Sequence, residues 1–200
     1  MPNWCQNTTF IYGDKKQLKQ FQEMLEKQTS VNRDPKIEND WDEEWLGNVF
    51  YHFYTKEEIE KYDIRCRGCF NYIEYNDDCI QMQYETAWSP NIESWERLLN
   101  DYFPKLKQAT QAEEIGMSIY VVYDPEHLFF SDKWLFDSCY QGDYYTEYFD
   151  TDEALVKYIN ETFGQDFKNV DQILSDKTFA ESFNVEPEDY YGLYQFEEWY

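Results

Sequence analysis

The sequence predicts an α+β protein, and three observations carry the prediction. Two segments in the first half alternate apolar and polar residues in the manner of strands. Segments with apolar residues at helical spacing follow them. Aromatic residues make up 20% of the 200-residue chain, which argues for a packed core despite a net charge of −24, because disordered chains are aromatic-poor.

The elements follow in order. Trp4 to Tyr12 reads as a strand, with Thr8, Phe10 and Tyr12 on one face and Thr9 and Ile11 on the other. Asp14 is placed to cap a helix over Lys15 to Lys27, with Gln17 in the capping-box position. Leu18, Phe21, Met24 and Leu25 form its apolar stripe. Residues 32 to 62 read as an insertion of short helices and loops. One helix is expected over Asp40 to Trp45, closed by Gly47, and a second follows a capping box of Thr55 and Glu58. Phe70 to Tyr75 and Ile80 to Thr86 then alternate on either side of an Asn76-Asp77-Asp78 turn, predicting a hairpin. Ser89-Pro90 suits a helix start, and Ile92, Trp95, Leu98, Leu99 and Tyr102 give that helix its stripe. Met117 to Tyr123 is the next expected strand.

The resulting order, β-α-(insert)-β-β-α-β, is the split βαβ or ferredoxin-like arrangement, with helices on one face of an antiparallel sheet. Lys133 to Tyr140 and Tyr144 to Phe149 are expected as further strands that extend the sheet. Residues 1 to 150 are thus read as one domain with a helical insertion near 32 to 62. Residues 151 to 200 are read as an acidic, aromatic-rich, mostly helical extension. Within it Thr151 to Phe163 is a helix stopped by Gly164, followed by two short helical turns.

Charge narrows the function classes most. The chain holds 41 acidic and 17 basic residues, and the second hundred residues alone carry a net of −16. Binding to DNA or RNA needs Lys and Arg to displace counterions from phosphates. The opposite field repels nucleic acid and anionic membrane and attracts basic protein surfaces. No stretch is apolar and long enough to span a bilayer. The start, Met1-Pro2-Asn3-Trp4, lacks the basic and apolar regions of a secretory signal. Five scattered cysteines do not suit a secreted disulfide framework, so reduced thiols and a cytoplasmic setting are expected.

No motif marks an active site. Cys66 and Cys69 form a CxxC, with Cys79 as a third candidate metal ligand and His52 or His127 as a fourth, but no second pair completes a zinc pattern. The CxxC also sits where a strand begins, whereas a redox pair needs a helix N-terminus. Neither histidine is accompanied by an orienting motif. No EF-hand or phosphate-binding glycine loop is present. No cofactor is expected.

The opening Met1-Pro2-Asn3-Trp4-Cys5-Gln6-Asn7 resembles the start of the Api92-like, or YubB ferredoxin-like, family of phage and plasmid proteins. Tyr84-Glu85-Thr86-Ala87-Trp88-Ser89-Pro90, followed by Trp95 and Leu98, is similar to a second part of that family. Between them the family's Trp-Gly-Thr-Lys-Trp segment is replaced by Arg67-Gly68-Cys69-Phe70, where only the glycine matches. The resemblance spans roughly residues 1 to 140. It implies a ferredoxin-like fold and a mobile-element origin, and it supplies no catalytic residues.

The acid–aromatic mixture suggests a non-enzymatic inhibitor or adaptor that imitates the phosphate array of nucleic acid. Its expected partner is a basic host nucleic-acid-binding protein, such as a phage-defence nuclease or a restriction complex. The candidate contact residues are Asp42, Glu43 and Glu44; Asp143, Glu147, Asp150, Asp152 and Glu153; and Glu186, Glu188, Asp189, Glu197 and Glu198. Tyr and Trp beside them would serve as interface anchors. The alternatives are a small metal- or thiol-dependent protein using Cys66, Cys69 and Cys79, and an internal phage or plasmid partner module with no inhibitory role.

Overall fold

The computed structural model describes residues 3–33 and 43–199. It is an α+β protein of two compact units, residues 3–130 with Trp199, and residues 131–198. Among the described residues no helix is long and apolar enough to cross a membrane.

In the first unit, β1 (Trp4–Gly13) is followed by α1 (Lys15–Gln28), the short helices α2 (Gly47–Phe53) and α3 (Lys56–Lys61), the hairpin β2 (Gly68–Tyr75) and β3 (Cys79–Ala87), α4 (Ile92–Tyr102), β4 (Leu106–Glu114) and β5 (Ile119–Tyr123). The strands lie in the order β2-β3-β1-β4-β5, with antiparallel pairing at each step. Alternation along β1 and β3 turns Ile11, Ile80, Met82 and Tyr84 to one face. There they form a core with Leu18, Phe21 and Leu25 of α1, Phe50 of α2 and Trp95 and Leu98 of α4. Trp95 is at its centre, fully buried, with rings of Phe21, Phe50, Phe70 and Tyr84 around it. On the opposite face Phe10 and Tyr12 receive Phe129 and Phe130.

Several local expectations are met. The Asp14 carboxylate accepts from the Gln17 amide, although Gln17 Oε1 turns away to accept from the Lys105 amide. Both halves of the Thr55–Glu58 capping box form. Others are corrected. Gly47 opens α2 and does not close a helix; a Cβ there would lie within 2.4 Å of the Trp45 indole. Asp40, Trp41 and Asp42 of the expected helix lie outside the described residues. The fourth helix begins two residues after Pro90, behind Asn91. Ser89 does not cap it: its hydroxyl accepts from Arg65 and its carbonyl from Thr86. The strand that flanks β1 on the side away from β3 is Leu106–Glu114, which is not expected from the sequence, and Ile119–Tyr123 lies one place further out.

In the second unit, β6 (Trp134–Tyr140) and β7 (Asp143–Phe149) form a hairpin. Helices α5 (Asp152–Phe163), α6 (Val170–Ser175) and α7 (Lys177–Glu181) follow, and β8 (Leu193–Gln195) returns beside β6. The sheet order is β7-β6-β8. The two late strands therefore do not extend the first sheet, and the units divide at residue 130 where the sequence reading placed 150. The reason is side-chain chemistry. Trp134 and Phe136 on one face of β6 pack with Leu155 and Ile159 of α5, Ile173 of α6, and Phe179 and Phe183. The helices after residue 151 thus share a core with strands before it. They are not an appended helical tail. Thr151 caps α5, and Gly164, at φ 66°, ends it in the left-handed conformation that glycine adopts without strain.

Candidate functional site

The second unit holds 17 acidic and 4 basic side chains in 68 residues, a net of −13. Its hairpin turn is Gln141-Gly142, with φ of 53° and 82° at the two residues. Positive φ at both positions gives a turn whose twist matches the flanking strands. The Asp189 carboxylate holds this turn. It accepts from the backbone amides of Gln141 (3.1 Å), Gly142 (3.2 Å) and Glu186 (3.0 Å), and the Cys139 thiol lies 3.6 Å from it. Burial alone would raise the Asp189 pKa, but the three amides outweigh it and hold the carboxyl below its ordinary range. Asp189 thereby fastens the loop from Glu186 to Tyr190 to the hairpin tip.

Period-two alternation fixes what the sheet displays on the face away from the helices. On β6 that face carries Leu135, Asp137 and Cys139. Opposite them on β7 stand Tyr148, Thr146 and Tyr144. On the other side of β6, Tyr194 pairs with Leu135 and Tyr190 bridges to Cys139. Asp137 is the charged centre of this face. Its carboxylate accepts from Thr146 Oγ1 at 2.8 Å and from the Tyr190 hydroxyl at 3.2 Å. Burial, with Asp137 next to it, pushes the Tyr190 hydroxyl up to about 12, so it remains a donor at neutral pH. Tyr144 is 70% exposed and Tyr190 38%. Two accessible rings and a preorganised carboxylate therefore sit at the tip end of the sheet.

The acidic residues singled out from sequence fall into separate places. Asp143, Glu186 and Glu188 are exposed around the hairpin tip and its fastened loop. Asp189 is buried and spends its oxygens on the turn, so it is a structural group and not a contact residue. Glu147 lies on the helix-side register of β7, near Tyr158, whose pKa is raised by burial and then by this charge. Asp150 and Glu153 are exposed at the start of α5. Between them Asp152 is engaged: it accepts from Lys133 Nζ at 2.7 Å and from the Trp134 indole N–H at 2.8 Å, and both contacts lower its pKa. Glu197 and Glu198 are exposed near the end of the unit. In the first unit Glu44 is exposed and Glu43 half-buried, and their carbonyls accept from Phe70 N and Asn48 Nδ2. Asp42 lies outside the described residues. Asp137, Tyr144 and Thr146 were missed in sequence; alternation across the two strands is the signal that groups them.

The cysteines are not brought together as a metal site. Cys69 pairs with Glu85, and Cys79 lies six residues from Glu85 along β3, a run of about 20 Å at strand rise. A zinc ion needs thiolates at about 2.3 Å. The Cys66 thiol donates to the Ile64 carbonyl, and burial pushes it up to about 12, away from the thiolate form. Among the described residues no group of three His, Cys, Asp or Glu side chains is arranged to hold a metal ion. His52 Nδ1 lies 3.1 Å from Gln28 Nε2, and His127 is exposed in the turn after Asp124.

No protein-family model, no curated protein and no solved structure matches this chain.

Proposed function

We propose that the chain is a non-enzymatic acidic protein-binding protein from a mobile genetic element. In this reading it occupies the basic groove of a host nucleic-acid-binding defence protein and imitates nucleic acid there. The observation that carries it is the pair of exposed rings, Tyr144 and Tyr190, beside the half-buried Asp137 carboxylate, in a unit of net charge −13. Tyrosine supplies large contact area at low entropic cost. A fixed carboxylate between tyrosines suits an arginine or lysine, by ion pairing and by stacking on the rings. The exposed Asp143, Glu186 and Glu188 nearby add the field that steers a basic partner.

For the first unit we infer a ferredoxin-like core over β1 to β4. The β-α-β-β-α-β order and the strand order β2-β3-β1-β4 support it. The family resemblance adds support for a mobile-element origin. Its two motifs lie side by side as β1 and β3, where Asn7 Nδ2 donates to Thr86 Oγ1 and the Trp88 amide to the Asn3 carbonyl.

The test is capture of partners from host lysate by the tagged full chain, washed at low and then high salt, followed by competition with duplex DNA or RNA. The expected result is a basic nucleic-acid-binding protein that leaves at high salt and is displaced by nucleic acid. A salt-resistant partner with no basic groove, still held by the Tyr144→Ala and Glu188→Gln variants, sinks the proposal and favours an internal partner module.

A further inference from the structure

The first unit carries a cavity that the protein-binding reading does not use. It arises from a mismatch of strand lengths. β5 ends at Tyr123 opposite Thr110, so β4 runs on from Ala109 back to Leu106 past the end of its neighbour. The gap beside that overhang has a volume of about 220 Å³. Glu96, Leu99 and Asn100 of α4 line one side, and Tyr123, Pro125 and Glu126 another.

The lining is built and not fluid. The chain after Tyr123 is locked because Asp124 Oδ2 accepts from the Phe129 and Phe130 amides, and both rings pack on Phe10. This places Glu126 where it accepts from the Tyr12 hydroxyl at 3.1 Å and pairs with Lys107. Across the gap Glu96 accepts from the Tyr123 hydroxyl at 3.3 Å. Two amides complete the lining, Asn100, which is exposed, and Gln108, 3% exposed. Gln108 Nε2 donates to the Ile92 carbonyl at 2.8 Å, which fixes the orientation of the amide. Its Oε1 is buried and has no hydrogen-bond partner. A buried acceptor left unpaired is destabilising, and here it belongs to a residue that lines a cavity.

We propose that this cavity binds a small organic cation, an alkylammonium or guanidinium group on a short aliphatic chain. The chemistry selects for donors and positive charge. Lys107 and Glu126 neutralise each other, so the lining keeps one net negative charge, on Glu96, with the exposed amide of Asn100 and the buried, unpartnered Oε1 of Gln108. Leu99, Leu106 and Pro125 provide apolar wall for a few methylenes. The volume lies below the roughly 300–1,000 Å³ of drug-sized pockets, so the ligand is small. An anion would meet the Glu96 carboxylate with no free cation in the lining to offset it, since Lys107 is paired with Glu126.

The experiment is a titration of the full chain with butylammonium at about 0.15 M salt, following backbone amide resonances, with neutral butanol and sodium chloride as controls. The expected result is saturable shifts centred on Lys107, Gln108 and Tyr123, with a dissociation constant on the order of 1 mM or tighter. Glu96→Gln, at an exposed position that leaves folding intact, should weaken binding about tenfold, equivalent to about 1.4 kcal/mol. Gln108→Leu removes the unpartnered acceptor and should also weaken it, with a thermal melt confirming that the variant is folded. The tripeptide Gly-Lys-Gly is the second arm. Exclusion of the tripeptide marks a site for free amines, and equal binding marks a site that accepts a lysine side chain. Shifts spread over both units and reproduced by sodium chloride would show counterion condensation on an acidic protein and overturn the proposal. Binding unchanged by both variants would overturn it equally.

Discussion

The two units divide their tyrosines differently between interior and surface. In the first, Tyr12, Tyr54, Tyr84 and Tyr120 are all below a tenth exposed, and Tyr54 and Tyr84 belong to the core, though Tyr72 and Tyr102 are exposed. In the second, Tyr144, Tyr148 and Tyr190 reach the surface, while Tyr140, Tyr145, Tyr158 and Tyr191 pack with the phenylalanines of its core. Charge follows the same division, with a net of −11 over 132 residues in the first unit and −13 over 68 in the second. Composition alone averages these into one acidic, aromatic chain. In the second unit the split follows the sheet faces, with Tyr145 and Phe149 packed on the helix side and Tyr144 and Tyr148 exposed on the other; in the first unit the other face is covered too, and Tyr12 is buried there against Phe129.

The largest effect should come from the first core. Trp95→Ala removes a fully buried indole contacted by four rings, and large aromatic truncations cost about 3–5 kcal/mol. Denaturant unfolding followed by far-UV circular dichroism should show that loss in the first unit's transition. An unchanged midpoint would mean that this core is not what the burial implies.

The next effect is a pH dependence confined to the second unit. The Asp189 carboxyl is held below its ordinary pKa when folded. It therefore contributes stability above the unfolded value of about 3.9, and that contribution is lost as pH falls through the folded value. Amide exchange at Gln141 and Gly142 should accelerate below about pH 4, and Asp189→Asn should show fast exchange there already at neutral pH. Protection that is flat with pH and indifferent to the substitution would remove Asp189 from its place as the fastener of the hairpin tip.

These contrasts also explain what could be read in the sequence. Strong periodicity gave β1, the β2–β3 hairpin and the stripes of α1, α4 and α5, because each has one apolar face. The β4 strand escaped because its buried residues include Gln108, Thr110 and Gln111, with Ala109 and Ala112. Polar groups satisfied across strands, such as the Thr110 hydroxyl against Thr9 at 2.8 Å, leave no apolar alternation to detect. Strands β6 and β7 were legible as strands, but their partner was not. Pairing with β8, three residues long, depends on a chain reversal through three helices that no local pattern encodes. Asp189 looked like one more surface acid for the same reason. Its burial follows from where residues 141 and 142 come to lie, almost fifty positions away.

A smaller effect tests a single backbone position. Gly164→Ala keeps the helix but puts a Cβ at φ 66° with open space around it. The cost is then conformational only, about 1 kcal/mol. It should appear as a modest fall in the midpoint of the second unit with no change at Trp95. A larger loss would point to packing around the turn that the open surroundings do not contain.

The smallest effect on stability belongs to Tyr144→Ala, and it bears most directly on the comparison between units. The ring is 70% exposed, and surface substitutions of this kind change stability by within about 0.5 kcal/mol. If Tyr144 served the fold as Tyr84 does, truncation would lower the melting temperature by several degrees. If it serves an interface, the melt should be unchanged, while affinity for a basic partner falls about tenfold, as for an anchoring aromatic at an interface. Tyr84→Phe is the matching control in the other unit. Its hydroxyl is 2.9 Å from Thr9 Oγ1 in a buried setting, so its loss should destabilise by about 1 kcal/mol and leave partner binding alone. Measured as a pair, the two substitutions separate a tyrosine that holds a sheet together from one that the sheet presents to a partner.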